Sequence, residues 1–133
     1  MSVSPFRDTV TLWHYVGSGG GMYIRRVVSR VKCTVTEKSG GGGTAVLYIP
    51  IYGKREIRYV SPGYFSALVN IADTFTVSAG DRFVYGVSAA GLPPSDALTA
   101  AAVTVRDSGS RRMRHIEVRG ERITEKSDEG GTT

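Results

Sequence analysis

Few side chains in this 133-residue chain could carry reactive chemistry: two histidines, one cysteine and twelve scattered carboxylates. His14 and His115 lie far apart, and neither has the HxxxH or Cys–His spacing that holds zinc, so no metal site is expected. Cys33 sits in the run VKCTV, where a thiol behaves as a small buried apolar group rather than a nucleophile. With no second cysteine, no intrachain disulfide can form. Asp73 and Asp81 stand beside turn-forming residues, and capping of local backbone N–H groups accounts for them better than acid–base work. His14, within DTVTLWHYV, reads as a half-buried strand residue. Ser39–Gly43 (SGGGG) lacks the Gly-Lys-Ser/Thr ending of a phosphate-binding loop and opens no evident helix. These patterns assign no catalytic, cofactor-binding or metal-binding residue and point away from an enzyme.

The remaining chemistry is electrostatic. Arg111, Arg112, Arg114, Arg119 and Arg122 make VTVRDSGSRRMRHIEVRGER the most basic part of the chain. Cations this close repel one another within a screening length of ~8 Å. An acidic neighbour for Arg111, Arg112, Arg114 and Arg119 would relieve that repulsion, whether an adjoining subunit or DNA; a solvated strand face is the plain alternative. The second candidate contact is the loop Lys38, Ser39, Gly40, Gly41, Gly42, Gly43 and Thr44. Four consecutive glycines hold no single conformation by themselves, so this loop is expected to be mobile in the free chain and to order against a neighbour. Tyr23, Tyr48, Tyr52, Tyr59 and Tyr64 could offer faces for single-stranded bases, but they are not grouped with the arginines in sequence.

Short alternating runs must position these groups. Asp8–Val16 places Val10, Leu12, His14 and Val16 on one face and Thr9, Thr11, Trp13 and Tyr15 on the other. Tyr23–Glu37 predicts a long, bent or bulged strand with Val27, Val31, Cys33 and Val35 on one face, opposite Val28 and Arg30. Ala45–Tyr52 predicts a third strand, with Pro50 placing its end at an edge or bulge. After the turn GKRE comes a short strand at Ile57–Val60, and Ser61-Pro62 predicts a helix over Pro62–Leu68. Phe75–Val77 and Phe83–Val87 read as a hairpin around Ser78–Asp81. The alanine-rich Ala89–Ala102 predicts one short helix capped by Ser95. Val103–Arg106 and Met113–Arg119 read as a closing hairpin, with Gly109 free to take positive φ in its turn.

About seven short strands and one or two brief helices predict a mainly β fold, a single-domain β-barrel or sandwich with long flexible loops. Residues 1–122 form the expected barrel-like domain, and 123–133 read as a flexible polar tail. Apolar residues at 41% and charged residues at 22% suit a soluble globular chain. No apolar run approaches the ~20 residues of a membrane-crossing helix, and MSVSPFRDTV has no apolar signal core, so cytosolic synthesis and no membrane contact are expected. A net charge of +5 is compatible with an acidic partner without demanding one.

In their order, FRDTVTLWHYV, VLYIPIY with YVSPGYFSAL, AGDRFVYG and VTVRDSGSRRMRHIEVRGE carry a resemblance. The chain is similar in layout to a family of small tailed-bacteriophage head-completion and head–tail connector proteins, also described as head-closure or stopper proteins. The glycine-rich loops at 17–21 and 40–43 depart from that layout. The resemblance implies a structural subunit of the virion neck, assembled in the host cytoplasm and needing no cofactor. It would form a homo-oligomeric ring around the DNA channel, with portal or adaptor proteins on the head side and tail-terminator or tail-tube proteins on the tail side. Its contact with packaged DNA would be non-specific, through phosphates. A tail-terminator or other tail-associated ring protein, and a nucleic-acid-binding β-barrel, remain open alternatives.

Overall fold

The computed structural model describes residues 6–16, 22–37, 43–51, 57–67, 73–107, 109 and 114–122. In chain order these form β1 (Asp8–Val16), β2 (Met22–Glu37), β3 (Gly43–Pro50), β4 (Arg58–Tyr59), α1 (Pro62–Ala67), β5 (Thr74–Phe75), β6 (Arg82–Tyr85), β7 (Leu98–Arg106) and β8 (His115–Arg122). Six strands close into an antiparallel barrel in the order β1-β2-β3-β8-β7-β6, and β4 pairs with β5 in a separate two-stranded parallel sheet. Of the barrel and sandwich expected from the sequence, the barrel is the one formed. The tail at 123–133, the GKRE turn at 53–56 and the mobility expected of the 38–44 loop at residues 38–42 lie outside the described residues.

The barrel interior is solid. Val10 and Leu12 of β1, Val28, Val31 and Cys33 of β2, Ala45, Leu47 and Ile49 of β3, Phe83 of β6, and Ile116 and Val118 of β8 meet in one buried cluster. Removing this apolar surface from water is the main term that holds the strands together. Phe75 and Val77 close the cluster from the side of the small sheet, where Tyr59 packs edge-on against Phe75 with ring centroids 5.7 Å apart. The helix begins as its sequence requires: Ser61 caps it by accepting Tyr64 N–H at its hydroxyl (3.4 Å), with Pro62 next.

β1 follows the predicted range, yet both its faces are buried. Thr11 and Trp13 point out of the barrel and are nevertheless fully covered, because the chain after β6 crosses over them. Trp13 Nε1 donates to Ala90 O at 3.0 Å, Thr11 Oγ1 donates to Gly86 O at 2.8 Å, and Ser88 N donates back to Thr11 Oγ1 at 2.9 Å. Arg25 Nε ties the same segment down at Ser88 O, 2.6 Å.

Three expectations need correction. In β2, Val28 joins Val31 and Cys33 in the core, so Val27 is not the inward residue. The cause is a bulge: Asp8 pairs with Val31 and Thr9 with Ser29, so the register steps over Arg30, which takes φ 59°. One extra residue exchanges the faces of everything before it. The segment Ala89–Ala102 holds no helix at its end; the chain turns at Pro94–Ala97 and enters β7 at Leu98. Pairing with β6 and β8 on its two sides outweighs alanine's preference for helix. Residues 75–77 and 83–87 do not pair as a hairpin, since β5 pairs with β4 and β6 with β1 and β7. The turn between them exists, but it joins two sheets. Among the described residues the strands number eight, in keeping with the about seven expected, and β4 and β5 stand outside the barrel.

Candidate functional site

Of the residues singled out for contact, the structure describes Arg114, Arg119, Gly43 and Thr44. Arg111 and Arg112 lie outside the described residues, as do Lys38, Ser39, Gly40, Gly41 and Gly42. Arg114 is exposed just before β8, its Nε 3.5 Å from Asp107 Oδ1 across the turn. Arg119 is exposed on the outer wall of the barrel between Val46 of β3 and Ala102 of β7. Gly43 is buried where β3 begins, opposite Arg122, and Thr44 beside it is half-buried opposite Glu121. Gly43 and Pro50 bound β3 at its two ends, with Arg122 and His115 as their partners on β8. At ~3.3 Å per residue the anchors of the glycine-rich loop and of the arginine turn are therefore about 23 Å apart, at opposite ends of the barrel.

On the outer wall, aromatic stacking replaces the apolar packing of the interior. The Tyr48 ring lies on His115 at 3.9 Å with an 11° interplanar angle, and Phe6 stacks on Tyr48 at 5.7 Å. Lys32 is opposite Tyr48 on β2, and Glu117 opposite it on β8 approaches both His115 (3.6 Å) and Arg106 (3.5 Å). Of the tyrosines expected from sequence to offer base-stacking faces, Tyr48 is thus already stacked within the chain, and Tyr59 against Phe75. Tyr64 is exposed, and Tyr23 packs edge-on against Tyr15 with centroids 5.2 Å apart. Tyr52 lies outside the described residues.

Asp81 does more than the local capping expected of it. Its Oδ2 accepts Ser78 N–H at 2.8 Å, which is the local cap. The same oxygen accepts His14 Nδ1–H at 2.7 Å, and Oδ1 accepts Tyr15 N–H at 3.0 Å. The carboxylate has only lone pairs to offer, so the imidazole proton sits on Nδ1. Phe65 of α1 packs edge-on against the His14 ring at 5.4 Å and keeps it half-buried. The Asp81 backbone meanwhile accepts Ala100 N–H at 2.7 Å. One residue therefore joins β1, the 78–81 turn and β7 where the barrel closes. The sequence carries the Ser78–Asp81 spacing but no signal for the link to His14.

A cleft of ≈ 300 Å³ opens at the end where β3 begins, lined by Val35, Val84, Tyr85, Asp96, Leu98 and Arg122. Asp8 lies near it and accepts Tyr85 O–H at 3.0 Å and Cys33 N–H at 2.9 Å. Among the described residues, no three His, Cys, Asp or Glu side chains gather closely enough to hold a metal ion.

Cys33 is buried, as read from the sequence. Burial, with a smaller contribution from the Asp8 charge, pushes its thiol from the ordinary 9.0 up to about 11. The folded chain then keeps a proton that the unfolded chain releases between those values. The stability this contributes is present below pH 9.0 and is lost as pH rises through about 11. Tyr59 and Tyr85 are also raised, by burial and by the hydrogen bond to Asp8 respectively, so the cysteine share is isolated by substitution. Urea unfolding of Cys33→Ala is expected to show a shallower decline across this alkaline window than the wild type. Parallel pH profiles would refute it.

The chain matches no family model, and neither a curated protein nor a solved structure matches it.

Proposed function

We propose that this chain is a structural subunit of a tailed-phage neck, forming a ring around the DNA channel that helps close the filled head and attach the tail. The observation that carries the reading is the division of labour along the barrel. Its interior is filled by apolar side chains, so any channel must run between copies rather than through one. The end bearing the β7–β8 turn is basic, with Arg106 and Arg114 exposed and Arg111 and Arg112 in the intervening sequence; the glycine-rich loop leaves from the other end. A connector needs two unlike end faces, one for the portal side and one for the tail side, and a basic edge suits phosphates without sequence readout. The layout resemblance drawn from the sequence supports the same role.

Particles assembled without this chain are expected to package DNA, lose it, and carry no tails; adding the purified chain should restore both. A variant carrying Arg111→Ser, Arg112→Ser and Arg114→Ser should keep the monomer's melting temperature, since exposed ion pairs contribute only ~0–1 kcal/mol. It should nevertheless fail to restore the particles. Infectious tailed particles made in the absence of the chain would end the connector reading. Restoration by the triple variant would leave the arginines as a solvated face. Labelling at the far end of the neck, on the tail itself, would favour the tail-terminator alternative.

A further inference from the structure

One edge of the barrel sheet is left open. β6 flanks β7 only at Leu98 and Thr99. The Gly80–Asp81 backbone carries the ladder one step further, through Ala100 N to Asp81 O (2.7 Å) and Gly80 N to Ala100 O (2.8 Å). From Ala102 to Arg106, among the described residues, β7 pairs with β8 alone. Hydrogen-bond alternation decides which groups face the open side. Ile51 N donates to Arg114 O at 3.1 Å, so Arg114 turns toward β3 and His115 toward β7, and so on along β8. Arg106 and Thr104, opposite His115 and Glu117, therefore spend their backbone groups on β8. The N–H and C=O groups of Val103 and Val105 point outward.

The side chains give a second sign. Val105 lies on the core side of the sheet, opposite the fully buried Ile116, yet it is 44% exposed, and among the described residues no strand beyond β7 covers it. The open stretch Ala102–Val105 holds no proline, lysine or other charge, the devices that normally keep sheet edges from pairing. The bulge at Ala101 lies before this stretch and does not interrupt it.

We propose that this edge pairs antiparallel with the same edge of a second copy, centred on Thr104 opposite Thr104. In that register Val103 of each copy faces Val105 of the other. Two such pairs exchange two hydrogen bonds each, so every outward group named above is satisfied. Val105 is covered on the core side by its partner valine, a favourable β-branched cross-strand pair, and the two threonines meet on the outer side. Arg106 falls opposite Ala102 rather than opposite another cation. A shift of two residues would instead pair Val105 with itself and leave Val103 opposite Asp107. The register is thus self-complementary in hydrogen bonding, shape and charge. The contact does not rest on the connector reading, because a two-fold contact closes on itself and builds no ring.

The contact is small, so it should appear as a concentration-dependent doubling of mass in sedimentation equilibrium. Thr104→Cys should cross-link two copies under air with a copper catalyst, since directly opposed β-carbons lie ~4.5–5.5 Å apart. Ala102→Cys, which faces Arg106, should not cross-link, and the buried Cys33 thiol should stay out of the reaction. Val105→Lys should return the chain to a monomer with an unchanged circular dichroism spectrum. A wild-type chain that stays monomeric to its solubility limit, with no Thr104→Cys cross-link, would overturn the proposal. So would equal cross-linking at positions 102 and 104, or a larger assembly in which Thr104→Cys does not cross-link.

Discussion

Replacing Asp81 with asparagine is expected to lower the unfolding free energy by about 2–4 kcal/mol, although the two side chains have nearly the same shape. Asp81 is 1% exposed and both its oxygens are engaged, one by Tyr15 N–H and the other by Ser78 N–H and His14 Nδ1–H. Asparagine has a single oxygen. Whichever way its amide is turned, the NH₂ group confronts a backbone N–H, that of Tyr15 or that of Ser78. A well-packed apolar replacement of a buried charge can be nearly neutral, but asparagine leaves the donors in place and removes an acceptor. The residue sits on the seam where β7 is hydrogen-bonded to the 80–81 backbone, so the damage should also be local. Amide exchange at Tyr15 and Ala100 should accelerate more than at Val28 or Leu47. Urea titration should show a lower midpoint with an unchanged slope. A loss below ~0.5 kcal/mol, the size of an ordinary surface change, would show that the seam does not depend on this carboxylate.

The elements that could be read from sequence are those whose pattern is local. β1 follows from strict alternation in DTVTLWHYV, α1 from the Ser61-Pro62 start, and the end of β3 from Pro50. What escaped depends on partners distant in the chain. A bulge in the long β2 follows from its length, but its place at Arg30 has no residue signature, since arginine seldom takes positive φ, and that place exchanges Val27 for Val28 in the core. The alanines before Val103 look helical until one knows that β6 and β8 pair with this segment on its two sides. The candidate arginines were legible as a charge cluster, but the places of Arg114 at an end and Arg119 on a wall follow from the β3–β8 register. The His14–Asp81 link and the open β7 edge have no counterpart in sequence, because each is defined by the strand beside it.

The Phe83 site gives the other large expected effect. Gly120 lies in a row of small residues, with Ala45 on one side and Ala100 on the other. All three are buried, and the row forms a recess in the barrel wall. The Phe83 ring fills it. A β-carbon placed on Gly120 would stand 2.5 Å from Phe83 Cζ and 2.7 Å from Cε1, closer than carbon atoms can approach, with Leu98 Cβ behind at 3.5 Å. Phe83 is fully buried and is an inflexible ring among Leu12, Leu98 and Ala100 of the core, so it cannot swing into open space. Gly120→Ala should therefore cost ~1–3 kcal/mol as an overpacked core. This sign is opposite to the usual gain of ~0.4–1 kcal/mol when alanine replaces glycine in a tolerant backbone. Phe83→Leu alone should also destabilise, by leaving part of the recess empty. The double variant decides between a clash and a backbone effect. If the ring is the obstacle, leucine at position 83 makes room for the methyl group, and the two losses should fall short of adding by ~0.5–3 kcal/mol. Strict additivity in urea unfolding would mean that Gly120 is needed for its backbone and that the recess is not what selects it.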